Sequence, residues 1–182
     1  MAFSKIGHTG YTTLDATKLS GNLPAISGAN LTGISAGKVA QIIHAEGSSE
    51  IDVDSSSSFA DCNLEGTITP SATSSKVLAM WTFQTMLNIQ SGTRGYGVSL
   101  ERAISGGATS NVFSSGYNYE VYNQGAMTNG QRNTRYTWMK LDSPSTTSAI
   151  TYTPQAKTHS GGYVQFNALH MKSDLILMEV LA

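Results

Sequence analysis

Leu175-Ile-Leu-Met-Glu-Val-Leu181 is apolar at every position but one, and Val77-Leu-Ala-Met-Trp81 is apolar throughout. Successive side chains of a strand point to opposite faces. A stretch apolar at both parities therefore reads as a strand covered on both faces. An apolar strand that runs almost to Ala182 cannot be a free edge, because an uncovered apolar edge is a template for aggregation. The reading is a middle strand of a sheet, turned toward a subunit interface. Glu179 is the exception within it, and is expected to lean into solvent or to pair with an arginine.

Outward from these two stretches, short strand-like runs recur between turn signals. They cover residues 63–69, 76–89, 96–104, 111–114, 132–141, 149–159, 163–169 and 175–181. The separators are Pro70-Ser-Ala-Thr-Ser-Ser75, Ser91-Gly-Thr93, Ser105-Gly-Gly107, Asn129-Gly130, Asp142-Ser-Pro-Ser-Thr146 and Ser160-Gly-Gly162. Residues 38–45 have strand composition and lead into this series. Residues 46–61, with Glu50-Ile-Asp-Val-Asp54 and a serine run, read as an exposed loop. No segment holds a 3.6-residue period with caps. The expectation is an all-β chain, an antiparallel β-sandwich or jelly roll over residues 40–182, with almost no helix.

Ahead of that head, residues 19–39 repeat one short unit three times. An aliphatic residue opens each unit (Leu19, Ile26, Ile34), a serine follows, and a second aliphatic residue closes it (Leu23, Leu31, Val39). No unit has enough apolar surface to fold alone, and repeats of this kind become stable when neighbours or other chains cover them. The spacing is too short and too rich in Gly, Asn and Pro for a heptad coiled coil. Residues 19–39 are read as the stalk of an intertwined homo-oligomer. Residues 1–18 hold only Phe3, Ile6, Tyr11 and Leu14 as sizeable apolar side chains apart from Met1. They are expected to anchor the chain by docking on something larger.

Composition narrows the function. Charged residues make up 13% of the chain and the net charge is −1, against about 25% charged in an average soluble domain. With no Lys/Arg run, nucleic acid is not expected as a partner, since phosphate binding needs clustered cations. A single cysteine, Cys62, rules out an internal disulfide framework, and it reads as a small buried residue. The longest wholly apolar run in the closing strand, residues 175–178, is far below transmembrane length, so membrane insertion is not expected. No export signal is read in the first ten residues. A β-rich, Ser/Thr-coated chain without export signal or disulfides suits a component of a virus particle.

Three segments carry a family resemblance. They are Asp61-Cys-Asn-Leu-Glu-Gly-Thr-Ile-Thr-Pro-Ser-Ala-Thr-Ser-Ser-Lys-Val-Leu78, Leu141-Asp-Ser-Pro-Ser-Thr-Thr-Ser-Ala-Ile-Thr-Tyr152 and the closing Leu175-Ile-Leu-Met-Glu-Val180. Each resembles tail-fibre-like structural proteins of tailed bacteriophages, notably marine and cyanobacterial ones. The phrase Leu23-Pro-Ala-Ile-Ser-Gly-Ala-Asn-Leu-Thr-Gly33 is similar to the repeats that precede such domains. The resemblance implies a homotrimer in the virion, assembled in the host cytoplasm, with an N-terminal anchor on another virion protein, a thin shaft and a β-sandwich head. A shaft this short points to a short tail fibre or receptor-binding protein, or alternatively to a capsid head fibre or decoration protein with no specific receptor.

Enzymatic motifs are weak. Gly33-Ile-Ser-Ala-Gly37 matches a nucleophile pattern that works only on a strand–turn–helix elbow, and Ser35 is simply the repeat's serine. Asp52-Val-Asp-Ser-Ser56 begins like a calcium loop but lacks the turn glycine and the closing glutamate. His8, His44, His159 and His170 have no zinc spacing. No enzyme activity, cofactor or metal is expected. Recognition is expected of Tyr117, Asn118, Tyr119, Tyr122, Asn123 and Gln124. Tyrosine rings stack on sugars or supply contact area at low entropic cost, and amides read hydroxyls. Their expected partner is a host-surface glycan or protein.

Overall fold

Alternation of apolar and polar residues sends nearly every described segment into a strand. The structure, a computed structural model, describes residues 38–54, 57–89, 94–115, 121–123, 130–159 and 163–182. The expected anchor (Phe3, Ile6, Tyr11, Leu14) and the repeat from Leu19 to Ile34 lie outside the described residues.

The strands are β1 (Val39–Gly47), β2 (Ile51–Val53), β3 (Ala60–Asp61), β4 (Gly66–Ile68), β5 (Lys76–Ile89), β6 (Arg94–Ile104), β7 (Thr109–Ser114), β8 (Val121–Asn123), β9 (Gly130–Asp142), β10 (Ile150–His159), β11 (Val164–Phe166) and β12 (Ser173–Val180). They form two antiparallel sheets, so the fold is the expected all-β antiparallel sandwich. In the first sheet β12 lies between β1 and β5. β9 runs along β5 from Val77 to Ile89, and β12 and β11 share the other side of β5. β2 closes the far side of β11. In the second sheet β10 pairs with β6 on one side and with β3 and β4 on the other, and β6 also carries β7 and β8.

The core lies between the sheets. Trp81, Phe83 and Phe166 of the first sheet are fully buried, as are Tyr96, Leu100 and Tyr152 of the second. Aromatic rings cross the gap edge-on: Trp81 meets Phe113 at 5.7 Å and Tyr96 meets Phe166 at 5.6 Å between centroids. Burying each such side chain is worth about 1.5–3 kcal/mol, and the edge-to-face geometry suits the ring quadrupoles. Cys62 is fully buried, as expected.

Several expectations are corrected. β12 is a middle strand, but only one of its faces is fully covered: Leu175 and Leu177 are buried, while Ile176 and Met178 are half-buried. β5 repeats this, with Val77, Ala79 and Trp81 buried and Leu78 and Met80 half-buried. The second parity of apolar residues thus lies on the outer face of the sheet. Glu179 neither leans into solvent nor meets an arginine. It is 1% exposed and accepts hydrogen bonds from Gln41 Nε2 (2.7 Å), Ser71 N (2.7 Å) and Ser71 Oγ (2.6 Å). The expected loop 46–61 contains β2 and β3, and Val53 is buried in the core. Val39, assigned to the stalk, opens β1 opposite Val180. A 3₁₀ turn at Ala168–His170 replaces the end of the strand expected to reach 169.

Candidate functional site

Of the residues expected to recognise a partner, Tyr117, Asn118, Tyr119 and Gln124 lie outside the described residues. Tyr122 and Asn123 belong to β8, opposite Gly95 and Arg94 of β6. Gly95 presents no side chain opposite Tyr122, and the ring is 38% exposed. His159, the last residue of β10, brings its imidazole to 6.4 Å from the Tyr122 ring, tilted by 55°. Val121 turns inward and is buried, which fixes the parity that sends Tyr122 outward. The result is a small aromatic surface where β6, β8 and β10 meet. His159 was missed in the sequence because a lone histidine carries no spacing signal. Its partner is reached only through the β6–β10 pairing, His159 opposite Gly95.

A second concavity, about 350 Å³ and open to solvent, is lined by Glu46, Asp61, Asn63, Leu64, Glu65 and Thr153. Two of its carboxylates already have partners: Lys172 Nζ is 2.7 Å from Glu46, and Gln155 Nε2 donates to Asp61 at 2.8 Å. Cys62 next to it is a fully buried free thiol. Burial, and secondly the charge of Asp61, push its thiol pKa up, so the reactive thiolate is suppressed. Among the described residues, no three His, Cys, Asp or Glu side chains cluster closely enough to hold a metal ion.

Two buried polar clasps tie the framework together. One is Glu179 with Ser71 and Gln41. In the other, Asp142 Oδ2 accepts from Tyr152 at 2.7 Å, and Arg102 Nη1 donates to both Asp142 oxygens at 3.1 and 2.9 Å. Burial, then the bonded carboxylate, drive the Tyr152 pKa up, so the phenol stays a donor. The carboxylates of both clasps are hydrogen-bonded, whereas Arg102 Nε is buried without a partner among the described residues.

No family model and no curated protein matches the chain. Among solved structures, it is similar to an Eiger TNF from S. frugiperda (TM-score 0.43, 9% identity, covering 78% of this chain and 93% of that one). It is also similar to a chain of infectious bursal disease virus, Gt strain (TM-score 0.38, 12% identity, covering 88% of this chain and 43% of that one). A chain of an icosahedral infectious bursal disease virus particle gives TM-score 0.38 at 11% identity, over 88% of this chain and 40% of that one. The chain thus spans less than half the length of these viral chains. At such identities a shared architecture does not carry a shared role.

Proposed function

We propose that the chain is a structural protein of a virion, similar to tail-fibre-like proteins of tailed bacteriophages. In this reading it is a short tail fibre or receptor-binding protein. Residues 1–18 anchor it to another virion protein, residues 19–39 gather three copies, and the sandwich head meets a host-surface glycan or protein. Its role is attachment, without a catalytic step. Three identical heads would turn weak single contacts into firm binding.

One observation supports this most. The three segments that carry the resemblance, 61–78, 141–152 and 175–180, are distant in sequence and adjacent in the fold. Lys76 and Leu78 pair with Val180 and Met178, Val77 and Leu78 pair with Asp142 and Leu141, and Gly66, Thr67 and Ile68 pair with Tyr152, Thr151 and Ile150. Both polar clasps draw on them, through Ser71 and Glu179 and through Asp142 and Tyr152. Next to Val180 of the closing segment, Leu181 N donates to Lys38 O at 2.8 Å, ahead of β1. The three segments that carry the resemblance therefore form one contiguous part of the folded sandwich.

Antibodies against the head, located on intact particles by electron microscopy, test the reading. Label at the tail is expected. Label on the capsid shell would favour the second reading, a head fibre or decoration protein without a receptor. Particles that carry no label would sink both.

A further inference from the structure

Among the described residues β1 is an edge: it pairs with β12 and with no other strand. It is also lightly packed. Of its nine residues only Gly47 is buried, and Gly47 brings no side chain to the core. Ile43 and Ala45 turn inward but stay half-buried, while Ile42, His44 and Glu46 are exposed. Two ion pairs tie β1 to its neighbours, Glu46 with Lys172 and His44 with Asp174, and both are exposed. Pairs of this kind hold a strand weakly. The ladder to β12 also slips by one residue between Val39 and Gln41, and a bulge interrupts pairing.

One side chain of β1 is held differently. Gln41 stands directly opposite Glu179. Its Nε2 carries two hydrogens and donates to two acceptors, Thr69 O at 2.6 Å and Glu179 Oε2 at 2.7 Å. Glu179 is buried, and Ser71 N and Oγ hold its other oxygen. A hydrogen bond to a carboxylate is stronger than one between neutral groups, and breaking it leaves a buried charge short of a donor. This bond comes directly after the bulge, at the end where the chain enters the strand, so fraying that starts at Lys38 stops at Gln41.

We propose that β1 is a releasable strap, latched at Gln41, that guards the edge of β12. Once the latch opens, release costs the remaining backbone ladder but little apolar burial, so β1 can leave while the rest of the sandwich stays folded. β5 has no such freedom: it is paired on both sides, and its Trp81 and Phe83 are fully buried. With β1 away, β12 becomes an edge, with unpaired backbone groups beside the buried Leu175 and Leu177. An edge of that composition accepts another extended strand. The Gln41 latch sets how often it is open.

Native-state hydrogen exchange of the full-length chain, read by mass spectrometry, tests this. Residues 39–47 are expected to exchange well ahead of residues 76–89. Gln41→Ala should speed exchange of 39–47 by roughly tenfold or more, the effect of losing one bond to a charged acceptor, and leave 76–89 unchanged. A second variant works without disturbing the latch. Ile42 and Met178 are directly opposite in the ladder, so Ile42→Cys, Met178→Cys can staple β1 to β12 by a disulfide. Oxidised, this variant should exchange 39–47 more slowly than the same variant reduced. Residues 39–47 exchanging together with 76–89 in the native chain would show that β1 opens only with the whole sandwich, and would overturn the proposal. Gln41→Ala that speeds both segments alike, or neither, would overturn the latch. A staple that forms and leaves exchange of 39–47 unchanged would overturn the strap, and this comparison decides the matter even if Gln41→Ala does not fold.

Discussion

The Tyr152 hydroxyl and Asp142 Oδ2 meet at 2.7 Å between the two sheets, so β9 of one sheet and β10 of the other are joined by a polar bond inside a hydrophobic core. Arg102 completes the group from β6. Removing different members should cost different amounts. Asp142→Ala leaves a mostly buried guanidinium without its counter-charge, and losing one partner of a buried pair costs about 3–5 kcal/mol. Tyr152→Phe removes one donor to a charged acceptor, worth about 1.5–3 kcal/mol. Urea unfolding of the two variants checks the order, and equal losses would show that packing, not the carboxylate, dominates the site.

Glu179 gives the fold a pH dependence. Burial alone would push its pKa up; the hydrogen bonds from Ser71 and Gln41 outweigh burial and hold it down at about 2, from an ordinary 4.5. A depressed carboxylate pKa means that the unfolded chain takes up the proton first as pH falls. The contribution of Glu179 is therefore complete above about pH 4.5, declines between there and about 2, and is absent below. Glu179→Gln should flatten the stability profile over that window in thermal melts. A variant with the same acid slope as the parent would assign that slope to other carboxylates.

The position of β12 inside its sheet was legible because apolar residues at both parities exclude an edge. Its surroundings were not. Ile176 and Met178 read as covered, yet they lie half-buried on the outer face, because apolar composition does not report on which side of a sheet the second layer packs. Ser71, in what read as a separator, supplies two bonds to a glutamate 108 residues away. Nothing local announces such a pair. β2 was missed because Glu50-Ile-Asp-Val-Asp54 reads as acidic loop, although its alternation sends Val53 inward opposite Val164. For the candidate site, the tyrosine-rich composition marked the stretch, but only strand pairing brings His159 to Tyr122.

Gly47 is a packing constraint rather than a turn. A Cβ there would lie 2.7 Å from the backbone oxygen of Asn63, which is itself held at φ 51°. Backbone cannot yield as a side-chain tip can, so Gly47→Ala should cost about 1–3 kcal/mol. At Gly66 the nearest atoms are methyl groups of Leu175 and Leu177, at 3.1 and 3.3 Å. These can rotate aside, and Gly66→Ala should cost less. Paired melts decide it: a milder effect at Gly47 than at Gly66 would mean that the Asn63 turn gives way.

Tyr122 is the described residue on which recognition can be tested without disturbing the core. Its ring is exposed, its strand is three residues long, and its inward neighbour Val121 supplies the packing. Tyr122→Ala should therefore change stability by no more than about 0.5 kcal/mol, as for other surface substitutions. An aromatic contact at the centre of a binding surface is worth about 1–2 kcal/mol, or roughly tenfold in affinity at a single site. On the proposed reading of three heads that attach a particle to its host, avidity multiplies the loss, and adsorption of particles to host cells should fall further than binding of one head to an immobilised glycan. His159→Ala should follow in the same direction but less steeply, since its ring supports the tyrosine from 6.4 Å. Adsorption equal to wild type, with melts unchanged, would remove this surface from recognition.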